Sequence, residues 1–564
     1  MEEEKRNLVL FFVISMLIMV GYPYFFGAQS NLKQSVVGSN VVSLSGQPSI
    51  FNPKEMFVVP VEEEKTYDIT VRAKNLSGTI STCGAKIQNI LLNRYYETLG
   101  GSDNVSVFGK KEDQYYAHVG WKSENADIKV PNENTVWKSE SGNLSESSPI
   151  KLTWDNKNEL SFERTVSVDD NFILTITDTV KNYGDRPVPL RSATKIHREF
   201  DKSVSFNGMS FEGPLGYIDN RLEQMSYEDI AKKGKINHKT IGGWFGITDK
   251  YWLVSFIPDQ AASIGISCTH ASIENKNVYE VESMGEMFLI APNSEITRTY
   301  HLFVGAKEIK TLDMYEDKLG IKHFDLAIDF GWLYLLTKPL LYALAFAKDI
   351  VENMGVGIIL ITLLIKLLLL PLANKSYNSM NKLKVLQPKI QALQKKYEHD
   401  KTKLGQEISA LYSKEGVSPI GGCLPMLLQS PVLFALYRVL YISIEMRHAP
   451  FIWWIHDLSL PDPLSVFNLF GLIPITLPGF LQIGIWPIIM GLSMYLQQKM
   501  NPAPADPSQA TMMLIMPLVF TFMFAQLSSG LILYWTFSNI LSILHQYYIM
   551  KREENRSMRK SYSA

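Results

Sequence analysis

Five long apolar runs in the second half of the chain limit what it can fold into. Runs of this kind are typical of membrane-spanning helices, which need about 20 predominantly apolar residues. More polar segments separate these runs. The runs lie at about 354–372, 424–445, 483–498, 512–526 and 531–550. The pattern predicts an α-helical polytopic membrane protein over the C-terminal part of the chain.

The first half of the chain has a different character. Lys5 and Arg6 precede an apolar run without a small-residue cleavage site behind it, which predicts a signal-anchor transmembrane helix at 1–27. Residues 28–54 are rich in Ser, Gly, Asn and Gln and predict a flexible linker. Segments with a period of two follow, among them 67–73 and 172–180, with a turn between strands at 169–171. We therefore expect a large β-sandwich at 55–325, on the side of the membrane opposite the cytoplasm.

The distribution of basic residues predicts the orientation in the membrane. Nine lysines lie between 375 and 422, and five basic residues lie in the tail at 551–564. Because Lys and Arg favour cytoplasmic loops, both regions and both termini are expected in the cytoplasm. Six transmembrane helices satisfy this arrangement, the last five forming a core at 354–550. The apolar stretch before them is interrupted by four polar or proline residues, so we expect an interfacial amphipathic helix at 326–353.

Within the core, the segment 375–415 is predicted to be a cytoplasmic helical hairpin, since its helical periodicity is interrupted near the centre. Its nine lysines outnumber its four acidic residues. The excess fits the rule for cytoplasmic loops, and a docking surface for RNA or acidic proteins is the alternative interpretation.

Lys366 lies inside the first of the five runs. An ammonium group at that depth costs roughly 2.5–3.5 kcal/mol on insertion scales. Polar residues recur on other helices: Thr362 one turn before Lys366, Gln429 on the third span, and a stripe on the last span formed by Trp535, Ser538, Ser542 and His545. Intramembrane polar residues normally face a bundle interior or a water-filled cavity. The alternative is that Lys366 snorkels to the headgroups and that the other residues form interhelical hydrogen bonds.

The chain shows no pattern typical of an enzyme. It has no Cys/His cluster with metal-ligand spacing, no nucleotide-binding loop and no nucleophile elbow. Its three cysteines, of which Cys83 and Cys268 share the predicted β domain, have no disulfide spacing signature. We expect neither a cofactor nor a catalytic activity.

Four segments resemble the signature segments of the YidC/Oxa/Alb family of membrane protein insertases: LQPKIQAL at 386–393, SPIGGCLPMLLQSPVLFALY at 418–437, APFIWWIHDLSLPDP at 449–463 and SSGLILYW at 528–535. The anchor and the β domain resemble the Gram-negative bacterial form, in which that domain is a sandwich similar to sugar mutarotases. The resemblance implies an insertase and chaperone of the inner membrane that acts alone or with the Sec translocon.

The resemblance also implies a hydrophilic, positively charged groove that receives nascent membrane proteins in contact with lipid. Lys366 matches a position where the family typically has arginine, and the groove is expected to include Thr362, Gln429, Trp535 and Ser538. The hairpin at 375–415 and the basic tail would meet ribosomes or signal-recognition targeting factors.

Two other classes of function are compatible with parts of the sequence. A secondary transporter would use Lys366 as a substrate or proton site, but the paired repeats and intramembrane acidic residues of such transporters are not evident. A membrane-anchored periplasmic carbohydrate-binding protein would make the β domain the functional part and leave five spans unexplained.

Overall fold

A computed structural model describes residues 66–562, apart from 110–112, 141, 201–209, 274–275, 398, 417–423, 471, 474–480 and 502–506. Of residues 401, 424–428, 507–509 and 556–562 it describes the backbone alone. The predicted anchor at 1–27 and linker at 28–54 lie outside the described residues. The described chain forms two compact units: the part up to Lys307 with Thr311–Ala327, and Glu308–Lys310 with the part from Ile328 onward.

The first unit is built from two large sheets, as the period-two segments predict. One sheet runs in the order β14-β17-β18-β11-β5-β3-β2-β1-β7, with β4 beside β3. Its strands are β1 (Asp68–Arg72), β2 (Leu76–Ser81), β3 (Ile87–Tyr96), β4 (Asn104–Ser106), β5 (Tyr115–Lys122), β7 (Asn143–Leu144), β11 (Val188–Phe200), β14 (Lys235–Ile241), β17 (Ser263–Ile273) and β18 (Lys276–Ile290).

The other sheet runs in the order β13-β12-β15-β16-β19-β10-β9-β8-β6. Its strands are β6 (Lys138–Ser139), β8 (Ile150–Asp155), β9 (Leu160–Val168), β10 (Ile173–Asn182), β12 (Gly213–Ile218), β13 (Arg221–Gln224), β15 (Trp244–Thr248), β16 (Trp252–Ile257) and β19 (Ser294–Ala306). Buried and half-buried residues alternate along β9 and, from Leu174 onward, along β10, which shows that one face of this sheet is covered.

A buried ion pair connects the two sheets inside the sandwich. Arg164 on β9 lies directly opposite Asp178 on β10, and its Nε and Nη2 donate to the two carboxylate oxygens at 2.6 and 2.7 Å. From the facing sheet, the Trp121 indole donates to Asp178 at 3.0 Å, and the Val119 carbonyl accepts from Arg164 at 2.8 Å. Both charges are therefore paired and hydrogen-bonded, as burial requires.

Two helices accompany the sheets, α1 (Tyr227–Lys233) and α2 (Ile309–Leu319). Ser226 caps α1 by accepting from the Asp229 amide. Tyr315 on α2 holds the turn between β9 and β10, because its hydroxyl donates to Asp169 at 2.7 Å and accepts from the Phe172 amide at 2.9 Å. The predicted turn at 169–171 is confirmed.

The second unit is helical. Its helices are α3 (Tyr334–Val351), α4 (Met354–Leu368), α5 (Leu370–Lys396), α6 (Lys401–Lys414), α7 (Leu424–Ile442), α8 (Ile485–Met500), α9 (Pro507–Phe524) and α10 (Ser529–Tyr562). Judged by length and composition, no single helix among the described residues is sufficient to cross a membrane, whereas α4 and α5 together, bent by 67°, meet that criterion.

The bend between α4 and α5 corrects the predicted span at 354–372. The apolar run continues to Leu372, but α4 ends at Leu368 and α5 begins at Leu370 with Pro371 in its first turn. Proline has no amide proton and its ring clashes with the carbonyl four residues earlier, so a helix is kinked or interrupted around this position. Lys366 consequently lies in the last turn of α4 rather than in the middle of a longer helix.

Small and polar residues fix the remaining helices against one another. Asn353 caps α4 by accepting from the Val356 amide at 3.0 Å, and its side-chain nitrogen donates to the Phe451 carbonyl at 3.0 Å. On the other side of the bundle, Asn539 of α10 donates to Ser493 of α8 at 3.0 Å. Helix α10 is thus hydrogen-bonded to α8 through Asn539. It is also hydrogen-bonded to α4 and α7, through Ser542 and Ser538.

Candidate functional site

The Lys366 ammonium is the centre of a hydrogen-bonded cluster formed by three helices. Lys366 Nζ donates to Gln429 Oε1 on α7 at 3.1 Å and to Ser542 Oγ on α10 at 2.8 Å. The Gln429 amide donates in turn to Ser538 Oγ at 2.6 Å, and the Ser542 hydroxyl donates to the Ser538 carbonyl at 2.8 Å. The chain therefore orients its cation with neutral acceptors.

The end of α4 adds a second stabilising contribution. The last carbonyls of a helix carry the negative end of its dipole, and a cation in the last turn gains about 0.3–1 kcal/mol from it. Lys366 is the basic residue of that last turn. The helix break caused by Pro371 thus creates a favourable place for the charge that a continuous helix would not provide.

A cavity of about 320 Å³ opens beside the cluster. Lys366, Gln429 and Ser542 line one part of it, and leucines of α4, α5 and α10 line another. Ser376 and Tyr377 of α5 and His545 of α10 complete the polar wall. None of the described residues that line the cavity is an aspartate or a glutamate. The cavity therefore combines one cation with neutral polar groups and an apolar rim.

The polar wall is ordered by contacts between α5 and α10. His545 and Asn374 are joined by a hydrogen bond of 2.7 Å, and the Tyr377 ring meets the His545 ring edge-on with 5.1 Å between centroids. Tyr377 and Met380 of α5 also pack on Ile549 of α10. The first turns of α5 are thereby fixed as a wall of the cavity.

Three of the five predicted groove residues meet in this cluster, namely Lys366, Gln429 and Ser538. Thr362 does not, because it is buried and its hydroxyl donates to the Ile358 carbonyl of its own helix at 2.7 Å. Trp535 does not either: its ring packs on Phe524 and Phe520 of α9, with centroids 4.7 and 6.3 Å apart.

The aromatic residue beside the cluster is Tyr534. Its hydroxyl is within hydrogen-bonding reach of Gln429 and Ser538, and the side chain is buried. A phenol supplies both a donor and an acceptor, whereas the Trp535 indole would supply only a donor. The sequence analysis named Trp535 for this position and missed Tyr534, which lies one turn before Ser538.

A second group of charged residues lies on one face of the ten-stranded sheet. Lys195 Nζ is 2.7 Å from Glu133, 3.2 Å from Glu280 and 3.3 Å from Glu282. Burial alone would raise the pKa of Glu133, but hydrogen bonds from Lys195 and Tyr116 lower it to about 2. Burial lowers the pKa of neighbouring His118 to about 3, which keeps this histidine neutral. Lys195 thus has carboxylate partners, in contrast to Lys366, whose described acceptors are neutral.

Two features bear on metal and thiol chemistry in the first unit. The ligating atoms of Glu316, His323 and Asp325 lie within 4.8 Å of one another, so this group has the donor set of a divalent transition metal. The sequence analysis missed it, because the three residues belong to no known motif. Cys83 and Cys268 are free thiols.

The chain matches known families along most of its length. Residues 68–343 match the YidC periplasmic domain, and residues 346–556 match the family described as 60Kd inner membrane protein. It is 42% identical to the membrane protein insertase YidC of Rickettsia massiliae (strain Mtu5) over 553 residues, which cover 97% of this chain and 99% of that protein. The corresponding protein of Rickettsia bellii (strain OSU 85-389) is 41% identical over 557 residues, with the same coverage of both chains.

Among solved structures, the chain is similar to an active YidC insertase with its first transmembrane domain resolved. The identity is 19%, the match covers 86% of this chain and 93% of that chain, and the TM-score is 0.36. The assignment rests on the sequence relatives, whose identity exceeds 40% over nearly the whole of both chains. The chain belongs to the YidC family of membrane protein insertases, non-enzymatic proteins of the inner membrane that carry a periplasmic β-sandwich domain.

Proposed function

We propose that the cavity beside Lys366 is where this insertase receives the polar, acidic end of an incoming membrane protein. The observation that carries the proposal is the set of partners of Lys366. Both hydrogen-bond acceptors described for the ammonium, Gln429 Oε1 and Ser542 Oγ, are uncharged. The positive charge is therefore held in place without being neutralised, and a substrate carboxylate supplies the missing counter-charge.

The cavity lowers the cost of carrying polar groups into the membrane. Polar segments that cross bare hydrocarbon leave their hydrogen-bonding groups unsatisfied, at several kcal/mol each. The hydroxyls and amides around Lys366 give such a segment partners part of the way across. The groove that we propose opens to the cytoplasm and to lipid, includes the predicted residues Thr362 and Trp535 at its margins, and is closed toward the periplasm.

Two forces then complete insertion without a nucleotide. The apolar helix of the substrate partitions into lipid along the third and fifth spans, driven by the hydrophobic effect. The membrane potential acts on acidic residues that move outward, with about 2.3 kcal/mol per charge for each 100 mV. In this mechanism Lys366 attracts the substrate and then releases it, since a single charge contact in a hydrated cavity is reversible.

The proposed topology places six spans in the membrane, both termini and the hairpin at 375–415 in the cytoplasm, and the β-sandwich in the periplasm. Helices α5 and α6 carry the lysine-rich sequence of that hairpin. Leu383, Leu386 and Ile390 of α5 pack on apolar residues of α6, which leaves the lysines for contacts with ribosomes, targeting factors or acidic segments of substrates. The Sec translocon is the proposed partner for substrates with large translocated domains.

The test replaces Lys366 in cells depleted of the native protein and scores insertion of a short membrane protein with an acidic translocated tail. Lys366→Arg is expected to support insertion, and Lys366→Ala and Lys366→Glu are expected to block it at normal expression. Lys499→Ala at the end of α8, which does not line the cavity, is the matched control. Normal insertion by Lys366→Ala would assign Lys366 to snorkelling and remove its charge from the mechanism.

A further inference from the structure

When no substrate is bound, the positive charge of Lys366 has no counter-ion among the described residues of the cavity. An ammonium group has three N–H donors, and the described residues provide two acceptors for it, both neutral. Among the described residues of the cavity there is no carboxylate to balance the charge. A partly buried charge without a counter-ion is unfavourable. We therefore expect an anion to bind in the cavity also when no substrate is present.

The rim of the cavity indicates what kind of anion fits. Leu363 and Leu367 of α4 and Leu544 of α10 line it and have 40, 54 and 60% of their surface exposed. Exposed leucines next to a half-buried cation form an amphipathic surface, suited to a molecule with an anionic head and apolar chains. A free inorganic anion would satisfy the cation without contacting the leucines.

The dimensions are compatible with a headgroup. The cavity volume of about 320 Å³ corresponds to roughly ten water molecules at about 30 Å³ each, which is room for a phosphodiester with part of its hydration. The Ser542 hydroxyl donates to the Ser538 carbonyl and accepts from Lys366. Lys366 therefore retains one ammonium proton for a phosphate oxygen, next to the polar side chains of Ser376, Tyr377 and His545 in the same cavity.

We propose that the cavity of the resting insertase binds the phosphate headgroup of an anionic membrane phospholipid, with its acyl chains along Leu363, Leu367 and Leu544. This inference rests on the proposed function, because the same cation then exchanges lipid phosphate for the substrate carboxylate. The lipid keeps the charge compensated between substrates, and the exchange replaces one anion by another without exposing Lys366 to hydrocarbon.

Native mass spectrometry of the full chain in non-ionic detergent tests the proposal, with dioleoylphosphatidylglycerol as the probe. The wild type is expected to retain one tightly held lipid. Lys366→Gln is expected to lower its retention about tenfold, the loss of one charge-assisted hydrogen bond. Lys366→Arg is expected to preserve retention. Lys499→Gln, the same change outside the cavity, is expected to have no effect. Equal retention by Lys366→Gln and the wild type overturns the proposal.

Two further probes identify the source of the phosphate and the class of lipid. Zwitterionic dioleoylphosphatidylcholine is expected to be retained less than the anionic lipid, because its own cation competes with Lys366. Inorganic phosphate at millimolar concentration is expected not to displace the anionic lipid, since it does not cover the leucines. Displacement by inorganic phosphate would show an anion site without lipid specificity and would overturn the proposal.

Comparison with the insertion assay separates this proposal from the proposed function. If Lys366→Gln loses insertion but retains the lipid, the receiving role of Lys366 stands and the lipid proposal fails. If the variant loses the lipid but inserts substrates normally, the lipid site stands and the receiving role fails. A peptide with an acidic tail should release the lipid from the wild type if one site serves both anions.

Discussion

The ammonium of Lys366 on α4 and the hydroxyl of Ser542 on α10 are joined by a hydrogen bond of 2.8 Å, across 176 residues of sequence. The Ser542 hydroxyl can accept it because its proton is directed to the Ser538 carbonyl of the same helix. A residue that elsewhere would only satisfy its own helix thus fixes the position of the cation, and it does so without changing the charge of the cavity.

Gln429→Glu tests whether the uncompensated charge is what matters. The new carboxylate would lie about where Gln429 Oε1 now accepts from Lys366, at 3.1 Å, and would neutralise the cation. We expect insertion of substrates with acidic tails to fall about tenfold or more, because a charge-assisted hydrogen bond of roughly 1.5–3 kcal/mol would compete with the substrate. The measurement is protease accessibility of the substrate tail. Gln497→Glu on α8, outside the cavity, is the control, and equal effects of both changes would contradict the prediction.

The buried ion pair of the β-sandwich predicts a large loss of stability. Asp178→Ala leaves Arg164 charged and buried, which costs about 3–5 kcal/mol of unfolding free energy. Denaturant unfolding followed by tryptophan fluorescence measures it, and Trp121, bonded to Asp178, is a suitable reporter. Glu163→Ala removes the partner of Lys151 from a pair whose side chains are 41 and 35% exposed, and should cost no more than about 1 kcal/mol. Similar losses in both variants would argue against a buried pair.

His118 predicts that the β-sandwich loses stability in acid. Burial lowers its pKa from 6.5 to about 3. Between these two pH values the unfolded chain binds a proton at this histidine, whereas the folded chain does not. The stabilisation is complete above pH 6.5 and is lost as the pH falls toward 3; one pKa unit corresponds to about 1.4 kcal/mol. His118→Phe should flatten the dependence of unfolding free energy on pH between 6.5 and 4, because the phenylalanine ring binds no proton in either state. An unchanged slope in His118→Phe would show that other groups cause the acid sensitivity.

Gly484 and Asp462 should be energetically coupled. Asp462 accepts hydrogen bonds from the Trp454 indole at 3.0 Å and from the Trp486 amide at 2.9 Å, and a Cβ at Gly484 would overlap with the Asp462 side chain. Gly484→Ala should lower the stability of the purified chain by about 1–3 kcal/mol, and by less in an Asp462→Ser background.

Thermal unfolding of the two single variants and the double variant in detergent measures this coupling. Gly405→Ala on α6, where a Cβ meets open space, is the control and should be neutral or slightly stabilising, because alanine favours helices over glycine. Additive effects of Gly484→Ala and Asp462→Ser would show that the close approach of Gly484 to the Asp462 side chain does not affect stability.

Much of the fold follows from local sequence patterns. The alternating segments at 67–73 and 172–180 correspond to β1 and β10, since a half-buried strand needs only a period of two to be recognised. The hairpin segment contains α5 and α6, which end and begin on either side of 397–400. Hydropathy does not predict the break after Leu368, because the apolar run continues through it. Pro371 alone does not predict it either, since Pro339, Pro388, Pro431 and Pro517 lie inside continuous helices.

The site was harder to predict because its contacts join distant parts of the chain. Spacing on α10 places Tyr534 and Trp535 almost equally close to the stripe of Ser538 and Ser542. The choice between them is made by Phe520 and Phe524 of α9, which hold the Trp535 ring and leave Tyr534 beside the cluster. Likewise, Thr362 shares a face with Lys366, but its hydroxyl is used within α4. Neither the position of the Trp535 ring nor the bonding of the Thr362 hydroxyl can be predicted from the residue spacing along one helix.

The bend after α4 separates α5 from the helix that carries Lys366. The first turns of α5 form a wall of the cavity through Ser376 and Tyr377 and pack on Ile549 of α10, and its far part carries the lysine-rich segment that packs on α6. Because the 67° break separates α5 from α4, the wall of the cavity and the cation belong to two different helices. The cation and the lysine-rich segment are thus carried by separate helices, and α7 and α10 hold the cation in place.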